Sequence, residues 1–154
     1  RGGGEAAPPE RGGRGVSRRM SVSMTLDAVR DMTKTVTRRH VDTWKNLRPG
    51  DRLTLIEKGM GLPKGARQVV VAEVEVVNVR VERLAVVTTE EVRREGLVDL
   101  AWESIARGEY VTVADWFVDF WCAGHGYRNL TTAEQALVAC RRIEWRYLTS
   151  EANR

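Results

Sequence analysis

The sequence has few cysteines and no long apolar run, and these absences exclude two classes of protein. Its 154 residues include two cysteines, Cys122 and Cys140, too few for the disulfide framework of a small secreted domain. No apolar run approaches the ~20 residues that a membrane span needs, and no apolar stretch follows the basic start as in a secretory signal. We therefore expect a cytoplasmic protein that does not contact membranes.

The positive charge is unevenly distributed along the chain. Lys and Arg number 25 against 21 Asp and Glu, a net charge of +4. Residues 1–19 hold five arginines and two glutamates, a net of +3, so residues 20–154 carry only about +1. Within them, residues 30–48 have six Lys or Arg against two Asp, a local net of +4. This basic stretch predicts contact with anionic groups such as phosphates.

The amino-terminal segment differs in composition from the rest of the chain. Residues 1–19 are rich in glycine, arginine and proline, which predicts a disordered tail. Three interpretations stay open: an RNA-binding arm, a flexible leader, or an extension upstream of a true start at Met20 or Met24. Residues 20–150 are enough for one domain with a hydrophobic core.

Periodicity predicts an α+β domain. Valines alternate with polar residues over 69–82, as in a half-buried strand. The alternation slips at Val76-Val77, which predicts a β-bulge. Turn signals at 47–51 precede another strand. The further predicted elements are helices at 25–32, 88–96, 99–106 and 113–122, an extended segment at 34–39, and strands at 52–57 and 139–148.

One motif resembles a known family. Residues 33–39, Thr-Lys-Thr-Val-Thr-Arg-Arg, resemble the Gly-x-Lys-x-x-Thr-x-Arg signature of ASCH domains, with Lys34, Thr37 and Arg39 in the defining positions and Met32 replacing the glycine. The resemblance covers residues 22–148 and implies a small PUA-like β-barrel with flanking short helices. Its other segments are the turn at 47–51, the helix ending at Arg94-Glu95-Gly96, and a carboxyl-terminal part containing Phe117, Phe120, His125 and residues 142–147.

The motif is suited to the wall of a pocket. In an extended segment Thr35, Thr37 and Arg39 share one face, and the long stem of Lys34 lets its ammonium reach the same place. A solvated, threonine-rich strand is the alternative from composition alone. The resemblance favours a pocket that binds RNA or a nucleoside-like small molecule. Arg38, Arg39 and Lys45 would contact its phosphates, and His125 would make a further contact with the ligand.

A second interpretation is enzymatic. Some relatives in the PUA-like superfamily are amidohydrolases that deacetylate acetylated cytidine with a lysine, a threonine three residues later and a distant glutamate. The resemblance places these roles on Lys34, Thr37 and Glu95, with Glu90, Glu91 and Glu103 as alternatives to Glu95. A desolvated lysine suits this chemistry because it can take a proton from the threonine hydroxyl. Nuclease activity ranks last because no paired-carboxylate metal site is recognisable.

The sequence predicts no metal site and no cofactor. Cys122 and His125 are close enough to share a metal, yet only His40 and Cys140 remain to complete a zinc site. We expect a buried thiol and a histidine at the edge of the pocket. Gly59–Gly65 lacks the Lys-Ser/Thr ending of a P-loop, and the sequence predicts no oligomeric state.

Overall fold

The structure, a computed structural model, describes residues 17–148. Its five strands are β1 Arg18–Ser21, β2 Val36–His40, β3 Arg52–Ile56, β4 Val70–Arg83 and β5 Ala139–Tyr147. Its five helices are α1 Leu26–Arg30, α2 Thr89–Arg94, α3 Val98–Ala106, α4 Val113–Gly124 and α5 Thr132–Ala136, and a 3-10 turn spans Leu84–Val86. None of the helices within residues 17–148 is long and apolar enough to cross a bilayer.

The strands form one mixed sheet in the order β1-β3-β4-β5-β2. β1 runs parallel to β3, and the other neighbours are antiparallel. The register of β4 against β5 shifts between Val76 and Asn78, which confirms the predicted bulge. Bulges increase the local bend of a strand, and the sheet curls into a half-barrel. The predicted α+β fold class is confirmed.

The curl brings the two edge strands towards each other. A guanidinium nitrogen of Arg39 in β2 donates to the carbonyl oxygen of Ser21 at the end of β1, at 2.8 Å. This bond joins strands at opposite edges of the sheet, and the cavity described below opens beside it.

Two apolar clusters hold the elements together. One fills the half-barrel and includes Leu53, Val74 and Trp145. The other lies among the helices and includes Val92 and Phe117. Burial of apolar surface at about 25 cal/mol per Å² makes such clusters the main stabilising term. The candidate site lies where β2 passes between them.

Two elements differ from the sequence prediction. Residues 1–16 of the predicted disordered tail lie outside the described residues, but Arg18 and Arg19 belong to β1, which pairs with β3. The strand extends this far because Met20 and Val22 alternate into the core, at 1% and 3% exposure. Helix α5 was not predicted, although Thr131 and Glu134 form a capping box at its start.

Candidate functional site

A cavity of about 530 Å³ lies between α4, β2 and the segment that follows β1. Phe117, Phe120 and Trp121 of α4 form its apolar side. Its polar side is lined by residues of the predicted site: Lys34, Thr37, Arg38, Arg39, Glu95 and His125.

The backbone of Lys34 is held from two sides. Its amide donates to the carbonyl oxygen of Ala28 at 3.0 Å. Its carbonyl oxygen accepts from the indole of Trp145 at 3.0 Å and from the hydroxyl of Tyr147 at 2.5 Å. Trp145 and Tyr147 of β5 therefore both fix the position of Lys34, and Trp145 also packs in the core.

The side chain of Lys34 is buried against Glu95. Its amine donates to the backbone carbonyl of Glu95 at 2.6 Å and lies 3.4 Å from a carboxylate oxygen of the same residue. Both side chains are about 5% exposed or less. Burial lowers the pKa of Lys34 to about 8, although the Glu95 carboxylate opposes the shift. The resemblance thus selected the glutamate that contacts Lys34, over Glu90, Glu91 and Glu103.

Glycine at position 96 lets Glu95 reach this place. Helix α2 starts with a cap in which the Thr88 hydroxyl accepts from the Glu91 amide. Its last residue is Arg94 and Glu95 is its C-cap, and Gly96 follows with a φ of +82° that favours glycine. A Cβ at this position would lie 2.7 Å from the Cβ of Ala28. The end of α2 can therefore pack against α1 and place Glu95 beside Lys34.

Thr37 and Arg39 share the cavity side of β2. The Arg39 guanidinium donates to the Thr37 hydroxyl at 3.2 Å and to Ser21 at 2.8 Å. Burial lowers the pKa of Arg39, with the Glu95 carboxylate opposing the shift. The hydroxyl accepts a charge-assisted bond, which would stabilise negative charge developing on its oxygen.

Arg38 occupies a different environment from the one expected for a phosphate-binding residue. Its side chain is 1% exposed and bonds to three carboxylates: Glu82 at 2.9 Å, Glu91 at 2.5 Å and Glu95 at 3.0 Å. These carboxylates raise its pKa. Four of its five N–H groups already have carboxylate partners, so this geometry does not favour the predicted phosphate contact at Arg38.

Arg38 belongs to a buried ion network that the sequence did not predict. Arg38 of β2 lies directly opposite Arg142 of β5, and like charges in such a pair repel. Glu91 of α2 lies between them, 2.6 Å from Arg142. The two arginines hold the pKa of Glu91 down to about 2, Arg142 having the larger effect. The sequence predicted a helix at 88–96, but no pattern in it predicted the contacts of Glu91 with Arg38 and Arg142.

His125 closes the cavity at the end of α4. Its ring stacks on Trp121, with centroids 3.8 Å apart and planes 9° apart. Its Nδ1 lies 2.7 Å from the carbonyl oxygen of Trp121. Since a carbonyl only accepts, Nδ1 bears the proton. Burial lowers the pKa of His125, so the ring is neutral near pH 7 and its Nε2 is an acceptor.

Two predicted ligand contacts lie outside the cavity lining. Thr35 precedes β2, so the alternation that orients Thr37 does not extend to it. Its hydroxyl accepts instead from Arg94 at 3.0 Å. Lys45 has a 61% exposed side chain that lies 3.8 Å from Asp42. Neither lines the cavity, so a ligand inside the cavity would not touch them, and their predicted contacts stay predictions.

The described residues contain no group of three or more side chains able to hold a metal ion. Cys122 and Cys140 are buried free thiols, and burial raises the pKa of both, that of Cys140 to about 12. Their thiols are therefore protonated at neutral pH and unsuited to nucleophilic attack.

Two solved structures resemble the fold. One is a protein from Enterococcus faecalis V583 with the family name DUF984, at 12% identity and a TM-score of 0.48, covering 80% of this chain and 69% of that one. The other is an ASCH domain from Lactobacillus crispatus JV V101, at 13% identity and a TM-score of 0.47, covering 80% and 70%. At these values the likeness concerns overall fold and says nothing of activity. No family model and no curated protein matches the sequence.

Proposed function

We propose that the cavity between α4 and β2 binds a small ligand that carries a nucleobase. One observation carries the proposal: a cavity of about 530 Å³ combines an aromatic side with directed polar groups. Small-molecule sites have volumes of roughly 300–1,000 Å³ with a few polar groups on apolar walls. Phe117, Phe120 and Trp121 offer the apolar contact that the face of a base requires.

The polar groups suit the edge of a base. Lys34 supplies N–H donors, the Thr37 hydroxyl can both donate and accept, and the neutral Nε2 of His125 accepts. A nucleobase edge presents carbonyl acceptors next to N–H donors, so this mixed set is complementary to it.

A small ligand is favoured over an RNA chain. RNA binding needs several exposed cations along the path of the phosphates. Of the cations assigned that role, Arg38 is buried among carboxylates and Lys45 lies away from the cavity. A polymer would therefore gain little beyond the one nucleotide inside the cavity.

Isothermal titration calorimetry tests the binding proposal with N4-acetylcytidine, cytidine and a short single-stranded RNA. We expect binding of at least one nucleoside, weakened about tenfold or more in His125→Phe, since one buried hydrogen bond is lost. Lys45→Gln removes an exposed cation outside the cavity and is the matched control. Binding of RNA alone, abolished equally by Lys45→Gln, would contradict the proposal.

A second candidate is hydrolysis of an amide bond on that ligand, as the ASCH resemblance implies. The pKa of about 8 of buried Lys34 supports it, because an appreciable fraction of the amine is neutral near pH 8 and can act as a base. Thr37, the candidate nucleophile, lines the same cavity, and Glu95 lies 3.4 Å from the amine.

The proposed chemistry has two steps. The Thr37 oxygen attacks the amide carbon while its proton passes to neutral Lys34. The carbon–nitrogen bond then breaks, and the leaving amine takes that proton. Water then attacks the resulting threonine ester while Lys34 takes its proton, and Lys34 returns that proton to the threonine oxygen as the ester bond breaks and the carboxylic acid leaves. Glu95 supports both steps by stabilising the ammonium form of Lys34 between the two proton transfers.

Chromatography of N4-acetylcytidine after incubation tests the hydrolysis. We expect turnover that rises with pH through about 8 as Lys34 loses its proton, and that disappears in Lys34→Ala and in Thr37→Ala. Thr37→Ser, which keeps the hydroxyl, should retain activity. Nucleoside binding without turnover at high protein concentration would reject the enzyme and leave the binding proposal in place.

A further inference from the structure

The cations that line the cavity are unequally compensated. Lys34 and Arg38 both contact Glu95, which is the only acidic residue among the described residues that line the cavity. The other carboxylates of the buried network already pair with Arg38 or with arginines outside the cavity lining, namely Glu82, Glu91 and Glu144.

Arg39 lines the cavity without touching a carboxylate of the described residues, and the Glu95 carboxylate acts on its charge only from beyond ion-pair distance. It is partly buried, and its partners are both uncharged: the Thr37 hydroxyl and the Ser21 carbonyl. Among residues 17–148 it forms no ion pair within 4.0 Å. These two bonds use two of the five N–H groups of a guanidinium. Withdrawing a guanidinium from water without a counter-ion is costly, which an anionic ligand would offset.

A second free guanidinium lies at the same cavity. Arg128 follows α4, is exposed, and lines the cavity with His125. Within the described part of the chain it donates no hydrogen bond and forms no ion pair. Arg39 and Arg128 line the same cavity, Arg39 from β2 and Arg128 from the segment that follows α4.

We infer that Arg39 and Arg128 bind a phosphate monoester, so that the ligand is a nucleoside monophosphate and not a neutral nucleoside. Two guanidiniums offer several N–H donors to the oxygens of a dianion, the geometry that arginine shares with phosphate. The inference rests on the proposed function for the nucleobase, whereas the phosphate site stands on Arg39 and Arg128 alone.

Calorimetry on the full chain with three probes tests the inference: cytidine, cytidine 5′-monophosphate and inorganic phosphate. We expect the monophosphate to bind at least about tenfold more tightly than cytidine at low salt, since charge-assisted bonds are the stronger class. The advantage should shrink about tenfold in Arg128→Gln and as salt screens the charges. Lys45→Gln, which removes an exposed cation outside the cavity, should leave the advantage unchanged.

The outcomes separate the two proposals. Equal affinity for cytidine and its monophosphate would overturn the phosphate site and leave the nucleobase proposal standing. Binding of inorganic phosphate that Arg128→Gln weakens, without binding of cytidine or its monophosphate, would support the anion site and reject the nucleobase. Failure of all three probes would overturn both. Arg128 is exposed, so Arg128→Gln should fold normally, and a thermal melt checks this.

Discussion

Arg38 and Arg39 are adjacent in β2, yet their guanidinium groups have opposite electrostatic surroundings. Both residues line the cavity, but the Arg38 guanidinium is bound by Glu82, Glu91 and Glu95 of the network around α2. Arg39 faces the cavity and bonds only to uncharged oxygen atoms. The alternation of side chains along a strand places consecutive residues on opposite faces, so one strand supplies both environments.

The comparison of Arg38 with Arg39 distinguishes a cation that stabilises the fold from a cation whose charge is not paired within residues 17–148. On the α2 side, carboxylates from a helix and from β4 neutralise the two arginines that face each other across β2 and β5. That network fixes α2, and with it Glu95, over the sheet. On the cavity side, Arg39 forms no ion pair with any described residue, so its charge is available to the ligand that we propose. Two basic residues that look equivalent in sequence therefore have different tasks.

The largest expected effect on stability comes from breaking the ion pairs of Arg38. Arg38→Met leaves three carboxylates close together without the central cation, and removing one partner of a buried ion pair costs about 3–5 kcal/mol. We expect a loss of this size in the free energy of unfolding, measured by urea denaturation. Arg80→Met is the control, since Arg80 also pairs with Glu82 but has a 53% exposed side chain, and its pair is worth about 1 kcal/mol or less. Equal losses in both variants would contradict the contrast.

Acid should weaken the ion network around Glu91, with an intermediate loss of folding stability. The pKa of Glu91 is about 2 in the folded protein against an ordinary 4.5, so the unfolded chain binds the proton more readily. Its stabilisation is complete above pH 4.5 and is lost as the pH falls from 4.5 towards 2, by on the order of 3 kcal/mol. Urea midpoints measured across this range should fall less steeply in Glu91→Gln. An identical fall would assign the acid sensitivity to other carboxylates.

Sequence periodicity predicted the scaffold of this comparison but not its charges. The valine alternation of β4 and its slip at Val76-Val77 led to a strand with a bulge, and Thr88 with Gly96 bounded α2. Polar residues of an alternating strand usually lie on its solvent face, but Arg142 of β5 is 2% exposed. It is buried because α2 covers that face, and this packing brings together residues 51 positions apart.

The contact between Lys34 and Glu95 also could not be predicted from sequence periodicity. The two residues are 61 positions apart, and no spacing rule joins them. Only the family resemblance named Glu95 among its neighbours. Met32 stands in place of the signature's glycine and adopts a φ of +64°, in the left-handed region that favours glycine. Its side chain is 51% exposed.

The smallest expected effect on stability comes from removing Arg39, which has no ion pair in the described part of the chain. Arg39→Met removes a partly buried charge that has no carboxylate partner, together with two bonds to uncharged oxygens. The lost bonds, each worth about 1 kcal/mol, and the relieved desolvation of the guanidinium oppose each other. We expect unfolding free energies within about 1 kcal/mol of the wild type, although Arg38→Met in the same strand costs several times more. A loss as large as that of Arg38→Met would make Arg39 a structural residue, because a charge that the fold itself requires is not left for a ligand.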